Sequence, residues 1–181
     1  MTIGIDHMMA PGFSPVFGFA GLAAQFAWPF FRKRDAILTV QLGAACSYAT
    51  SYALMGQKTA TAVCLLGAIQ TTVALLAGDR AWLSRLGYAF LPVVLTVGAV
   101  TYSGLPTLLA VAACCLVMIG RMQQDTLRMR GIQLTASPFG AAHDLFVGAW
   151  PNLMGAVVSF VIAFTAFRRE LRESRQHRHP A

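Results

Sequence analysis

Seven apolar stretches, each 16 to 21 residues long, follow one another along the chain with short polar interruptions. They run over 12–31, 36–56, 59–78, 86–104, 105–120, 129–148 and 151–167. About 20 apolar residues wound as helix cross the ~30 Å hydrocarbon core of a bilayer, so the pattern predicts seven transmembrane helices. Glycine and proline mark the turns at Gly56-Gln57-Lys58, Ser103-Gly104-Leu105-Pro106 and Gly148-Ala149-Trp150-Pro151-Asn152. Glycine frees the backbone where a helix ends, and proline suits the first turn of the next. Trp82 and Trp150 fall near helix ends, where amphipathic rings favour the membrane interface.

Charge orients this pattern. Of the 14 Lys and Arg residues, 13 fall in the first, third and fifth connections or the tail. They are Arg32-Lys33-Arg34, Arg80 with Arg85, Arg121 with Arg128 and Arg130, and the run from Arg168 to Arg178; Lys58 stands alone on the other side. Positive charge stays in the cytoplasm, which predicts an N-out, C-in chain. The 181 residues are 56% hydrophobic and 12% charged, with a mean hydropathy of +0.60. A soluble domain carries about 25% charged residues, so a soluble fold is excluded. The net charge of +7 caps helix ends instead of forming one stripe, which points to anionic lipid and away from nucleic acid. Cys46, Cys64, Cys114 and Cys115 lie inside apolar segments without metal-ligand spacing and read as small buried hydrophobes. Asp6 and no Lys or Arg precede Arg32, so the first segment lacks the basic lead of a secretory signal and is expected to stay as a helix. The polar, basic stretch 170–181 reads as a helical extension into the cytoplasm, and His177 and His179 within it are not expected to bind metal.

A weak internal repeat adds architecture. A shift of 92 positions superposes Gln41 on Gln133, Ala44 on Ala136, Ala49 on Ala141 and Gly56 on Gly148. Residues i, i+4, i+7 and i+11 share one helical face. In the second segment that face is Gln41, Ala45, Tyr48 and Tyr52; in the sixth, at the same offset, Gln133, Ser137, Gly140 and Asp144. Both cylinders therefore carry one small-and-polar stripe. The expected fold is an all-α polytopic membrane protein of one domain, with three-helix bundles over 12–78 and 105–168, a linker helix over 86–104 and a basic tail over 169–181. Three helices are odd in number, so a linking helix is needed for the bundles to point the same way, as in transporters with parallel repeats.

Polar groups in hydrocarbon are costly and usually face the bundle interior. The candidate solute-binding residues are accordingly Gln41, Tyr48, Tyr52, Gln70, Gln133, Ser137 and Asp144. Asp144 is the one acidic residue inside an apolar segment, a turn before Gly148, with His143 beside it. The glutamines could equally bond across helices. Pro29, Pro92 and Pro138 are expected to kink the first, fourth and sixth helices, with Pro29 and Pro138 as hinges. No phosphate loop, HExxH pair, GxSxG elbow or CxxC occurs, so neither enzyme activity nor a cofactor is expected.

Two segments carry a family resemblance. Tyr52-Ala53-Leu54-Met55-Gly56 leading into 60–76, and His143-Asp144-Leu145-Phe146-Val147-Gly148 leading into 154–167 and Arg168-Arg169, resemble landmarks of the YgjV family of bacterial inner membrane proteins. The resemblance spans roughly 18–169. It implies a bacterial inner-membrane location and a topology similar to that of the SWEET and PQ-loop group, two three-helix bundles joined by a linker. It implies no assigned activity. This chain has no Pro-Gln dipeptide, and where SWEET-type sugar pockets place Asn on the third helix of each bundle it offers Gly67 and Gln70, and Ser159. The functional expectation is a small-solute transporter working by alternating access, with the bilayer and a small polar solute as partners. The alternative is a structural or assembly protein packed against itself or another membrane protein, which would show a filled apolar core in place of a polar cavity.

Overall fold

A computed structural model describes residues 13–56, 58–78, 80–148 and 150–178. Asp6, Gln57, Ala149 and His179 lie outside the described residues, as do the side chains of Lys58, Pro151, Asn152 and His177. The described chain forms helices α1 (Ser14–Ala27), α2 (Arg34–Leu54), α3 (Lys58–Ala77), α4 (Ala81–Tyr88), α5 (Phe90–Val100), α6 (Leu105–Arg121), α7 (Thr126–Phe146) and α8 (Trp150–Arg178), with a 3-10 turn at Trp28–Phe30. Ala89 alone separates α4 from α5, so together they make one interrupted helix and the described residues hold seven helical segments.

Local chemistry accounts for the boundaries. Gly56 and Gly148 adopt φ of 71° and 70°, the left-handed conformation that stops α2 and α7. The Asp125 carboxylate accepts the Arg128 backbone N–H at 2.7 Å and caps α7. The fourth segment differs from expectation. It starts at Ala81 and ends at Val100, ahead of the turn at Gly104 (φ 107°), and it breaks at Ala89. Pro92 has no N–H to give the Tyr88 carbonyl and its ring crowds that group, so the helix is interrupted just there. Pro29 likewise ends a helix instead of kinking one: α1 stops at Ala27, and Pro29 lies buried in the 3-10 turn. Pro138 does sit inside a continuous α7. Among the described residues only Trp82–Val100 is both long and apolar enough to cross a membrane on those two criteria; Thr61–Ala77 and Leu105–Arg121 are apolar but shorter. The polar stripes of α2 and α7, and the arginines at their ends, dilute those helices.

α2 packs between α1 and α3, and α7 between α6 and α8. The two triplets meet where α1 touches α8 and α3 touches α6; α4 lies on α3 and α5 on α6. The tight core occupies one end of the molecule, where Trp28, Ile37, Leu38, Ala74, Met122 and Met129 interlock. That is also the end that carries the arginines. The exterior is apolar: Phe19, Val100 and Met154 are each more than 70% exposed. Polar groups lie inside, with Gln41, Gln70, Gln133 and Arg130 buried.

Candidate functional site

The centre of the bundle is a hydrogen-bonded layer drawn from four helices. Gln41 Nε2 donates to Gln133 Oε1 at 3.0 Å, and Gln133 Nε2 returns a bond to Gln41 Oε1 at 3.4 Å. Arg121 Nε donates to Gln41 Oε1 at 3.1 Å and its Nη1 to Gln70 Oε1 at 3.5 Å. Gln70 Nε2 in turn donates to the Met118 carbonyl at 3.3 Å. Two glycines let this layer and its surroundings close. A methyl at Gly120 would stand 2.8 Å from Gln133 Cγ, and one at Gly21 2.9 Å from the Tyr48 ring.

A cavity of about 390 Å³ lies between α2 and α7, next to this layer. From α2 it takes Gln41, Ala45 and Tyr48, and from α7 Gln133, Ser137, Gly140 and Asp144. Both polar stripes therefore reach the same space, apart from Tyr52. Tyr52 lines an adjoining cavity of about 700 Å³, which Tyr48, Gln25, Cys64 and Ser159 share. Gln70 is fully buried behind the lining and holds Arg121. Trp28, Gly67 and Arg121 also line the central cavity, as does Ser159, whose buried Oγ has no hydrogen-bond partner among the described residues. Asp144 lies eleven positions beyond Gln133 on α7, about 16 Å along the axis. It has no ion-pair partner among the described residues. Its neighbour His143 turns elsewhere: Nδ1 is 2.9 Å from the Pro106 carbonyl, tying the end of α7 to the start of α6.

On the opposite side of the glutamine layer, two buried arginines bind helix ends. Arg34 donates to the carbonyls of Gln123 (2.8 Å), Ala74 (2.8 Å) and Arg121 (3.0 Å). Arg130 donates to the carbonyl of Pro29 at 2.8 Å and to that of Phe31, and pairs with Glu170 at 3.0 Å. Its guanidinium also lies over the Trp28 ring, 6.0 Å from the centroid. The sequence reading treated Arg34, Arg121 and Arg130 as orienting charges only. A helical-face argument could have found Arg121, because Ala113, Val117 and Arg121 share one face of α6 and all three line the cavity. The cysteines are all free, and Cys46, expected to be buried, is exposed on the outside of α2.

A helical bundle with an apolar exterior and an interior of glutamine and arginine is built for a solvent less polar than itself, which defines a helical membrane protein. Over residues 13–173 the chain matches the model of the Imp-YgjV family, described as bacterial inner membrane protein. The chain belongs to that family, and its place is the bacterial inner membrane. Neither the curated proteins nor the solved structures provide a match.

Proposed function

We propose that the protein is a small-solute transporter, spanning the membrane seven times with its N-terminus outside and C-terminus inside. Its two three-helix bundles, 12–78 and 105–168, would alternate access about a linker helix expected over 86–104, a role that falls to α4 and α5 in this reading. The observation that carries this reading is the cavity between α2 and α7, lined by both polar stripes. The proposed repeat is supported by the elements themselves. α2 and α7 are both 21 residues long. Their first and last residues, and the glycines that stop them, are offset by the same 92 positions that separate Gln41 from Gln133. The contacts α1 on α8 and α6 on α3 exchange under the same pairing. The core packed at the arginine-bearing end supports reading the cavity as part of an outward-facing state.

The test is a cysteine-accessibility scan on a Cys-free background. Cysteines placed at Tyr48, Ser137 and Asp144 are expected to react from outside with a membrane-impermeant maleimide. Absence of labelling from both outside and inverted vesicles would remove the transport reading and leave a packing protein.

A further inference from the structure

Arg121 is a cation without a counter-ion among the described residues. Its partners are neutral amides, and among the described residues no carboxylate comes within ion-pair distance. Its Nη2 group makes no hydrogen bond among the described residues. A guanidinium stays charged at any physiological pH, so an apolar surrounding cannot discharge it. Placing an unpaired charge inside a membrane protein is expensive and marks a functional position. The surroundings also present the group forward. Gln41 and Gln70 hold it from two helices, and Gly67 leaves space beside it: a methyl there would lie 3.9 Å from Nη1.

A second observation points the same way. Ser159 is 8% exposed, lines the same cavity, and its hydroxyl has no partner among the described residues. A buried hydroxyl normally finds one, and leaving it bare is costly. Ser159 and Gly67 both line the cavity and are offset by the same 92 positions as Gln41 and Gln133, so under the proposed repeat they correspond. The cavity thus has a fixed cation and, behind its Ser159 lining, a buried hydroxyl without a partner among the described residues. At its other end, about 16 Å along α7 from Gln133, stands Asp144.

We propose that the cavity takes a small organic monoanion, its carboxylate or equivalent oxyanion seated on Arg121 and bonded to Ser159, its far end neutral or cationic. Arg forms two parallel charge-assisted bonds with a carboxylate, and the resting amides keep the fork aimed. Asp144 repels a second negative charge across the remaining length of the cavity, where field lines are weakly screened, so dianions, glutarate included, bind more weakly than monoanions. The proposal rests on the transport reading for what happens after binding, but binding is measurable alone.

The experiment is thermal unfolding of the purified full-length protein in neutral detergent at constant ionic strength. The probes are acetate, lactate, butyrate and 4-aminobutyrate, against uncharged butyramide and dianionic glutarate. At least one monoanion is expected to raise Tm saturably, with no shift from butyramide and less from glutarate. Arg121→Gln loses the shift. Arg121→Lys, which keeps the charge, retains part of it and covers the case in which the glutamine variant fails to fold. Ser159→Ala weakens binding about tenfold, the value of one hydrogen bond to a charged group. No shift with any monoanion, an equal shift in Arg121→Gln, or glutarate binding as tightly as the monoanions overturns the proposal. So does a shift seen only with phosphatidylglycerol in phosphatidylcholine vesicles, which would make the anion a lipid headgroup. Anion binding with a cavity closed to maleimide removes transport and keeps the site. An accessible cavity without anion binding keeps the path and removes this substrate class.

Discussion

Arg32 and Arg34 stand two residues apart and read alike in the sequence, yet their surroundings separate them. Arg32 pairs with Glu173 at 3.2 Å with both side chains largely in solvent, 66% and 43% exposed. Such pairs are worth about 0–1 kcal/mol, so Arg32→Ala is expected to leave the unfolding temperature nearly unchanged. Arg34 is buried and holds three carbonyls at the ends of α3 and α6. Arg34→Ala orphans all three, at about 1–3 kcal/mol for each group left without water. The expected outcome is a large drop in Tm in detergent; a drop no larger than that of Arg32→Ala would mean that water or lipid reaches those carbonyls. The glutamine pair sits between these extremes. A double-mutant cycle with Gln41→Leu and Gln133→Leu is expected to give a coupling of about 0.6 kcal/mol, the usual size of an interhelical bond in a membrane protein. A coupling near zero would mean that Arg121 alone holds Gln41.

At the scale of the helix, small residues decide how closely elements approach. Gly120→Ala puts a methyl 2.8 Å from Gln133 Cγ and 3.3 Å from the Met129 carbonyl, the second of which is backbone and cannot turn aside. Overpacking of this kind costs about 1–3 kcal/mol, while Gly43→Ala meets nothing within 4 Å and is expected to be neutral or stabilising. Equal unfolding temperatures for the two variants would mean that α6 and α7 slide apart freely. The helices themselves were legible in the sequence because period and length carry them: the break between 104 and 105 and the glycines at 56 and 148 fell where φ turns positive. The stripe of α7 was legible because Gln133, Ser137, Gly140 and Asp144 are separated by helical spacings alone. Tyr52, on the same stripe as Tyr48, lines the adjoining cavity instead of the central one, because spacing gives a face but not the neighbour that face meets. The break at Ala89 was missed because the apolar run through Tyr88 and Phe90 is uniform, and the missing N–H of Pro92 acts four residues upstream. Arg34, Arg121 and Arg130 could not be told from orienting charges, since their roles depend on carbonyls and amides up to 101 positions away.

For the whole molecule, those same arginines define what would have to break if the cavity is ever to face the other way. Arg34, on α2, reaches across to carbonyls at the end of α6, and Arg130, on α7, reaches across to those that follow α1. Each triplet therefore grips the other at the arginine-bearing end through one buried arginine. Under alternating access this end is a gate, and weakening it should move the population toward the inward-facing state. Arg130→Lys is the sharper probe, because an ammonium can keep the Glu170 pair at its present place while losing the planar fork that spans Pro29 and Phe31. Each 1.4 kcal/mol or so lost from the closed state alone changes the population ratio about tenfold. A cysteine at Ser137 in this variant is therefore expected to label several-fold faster from inverted vesicles and more slowly from outside. The reciprocal change separates gating from damage: a general loosening would speed labelling from both sides together. If Arg130→Lys lowers Tm and neither labelling rate moves, the arginine end is a fixed base, and the triplets do not rock about it.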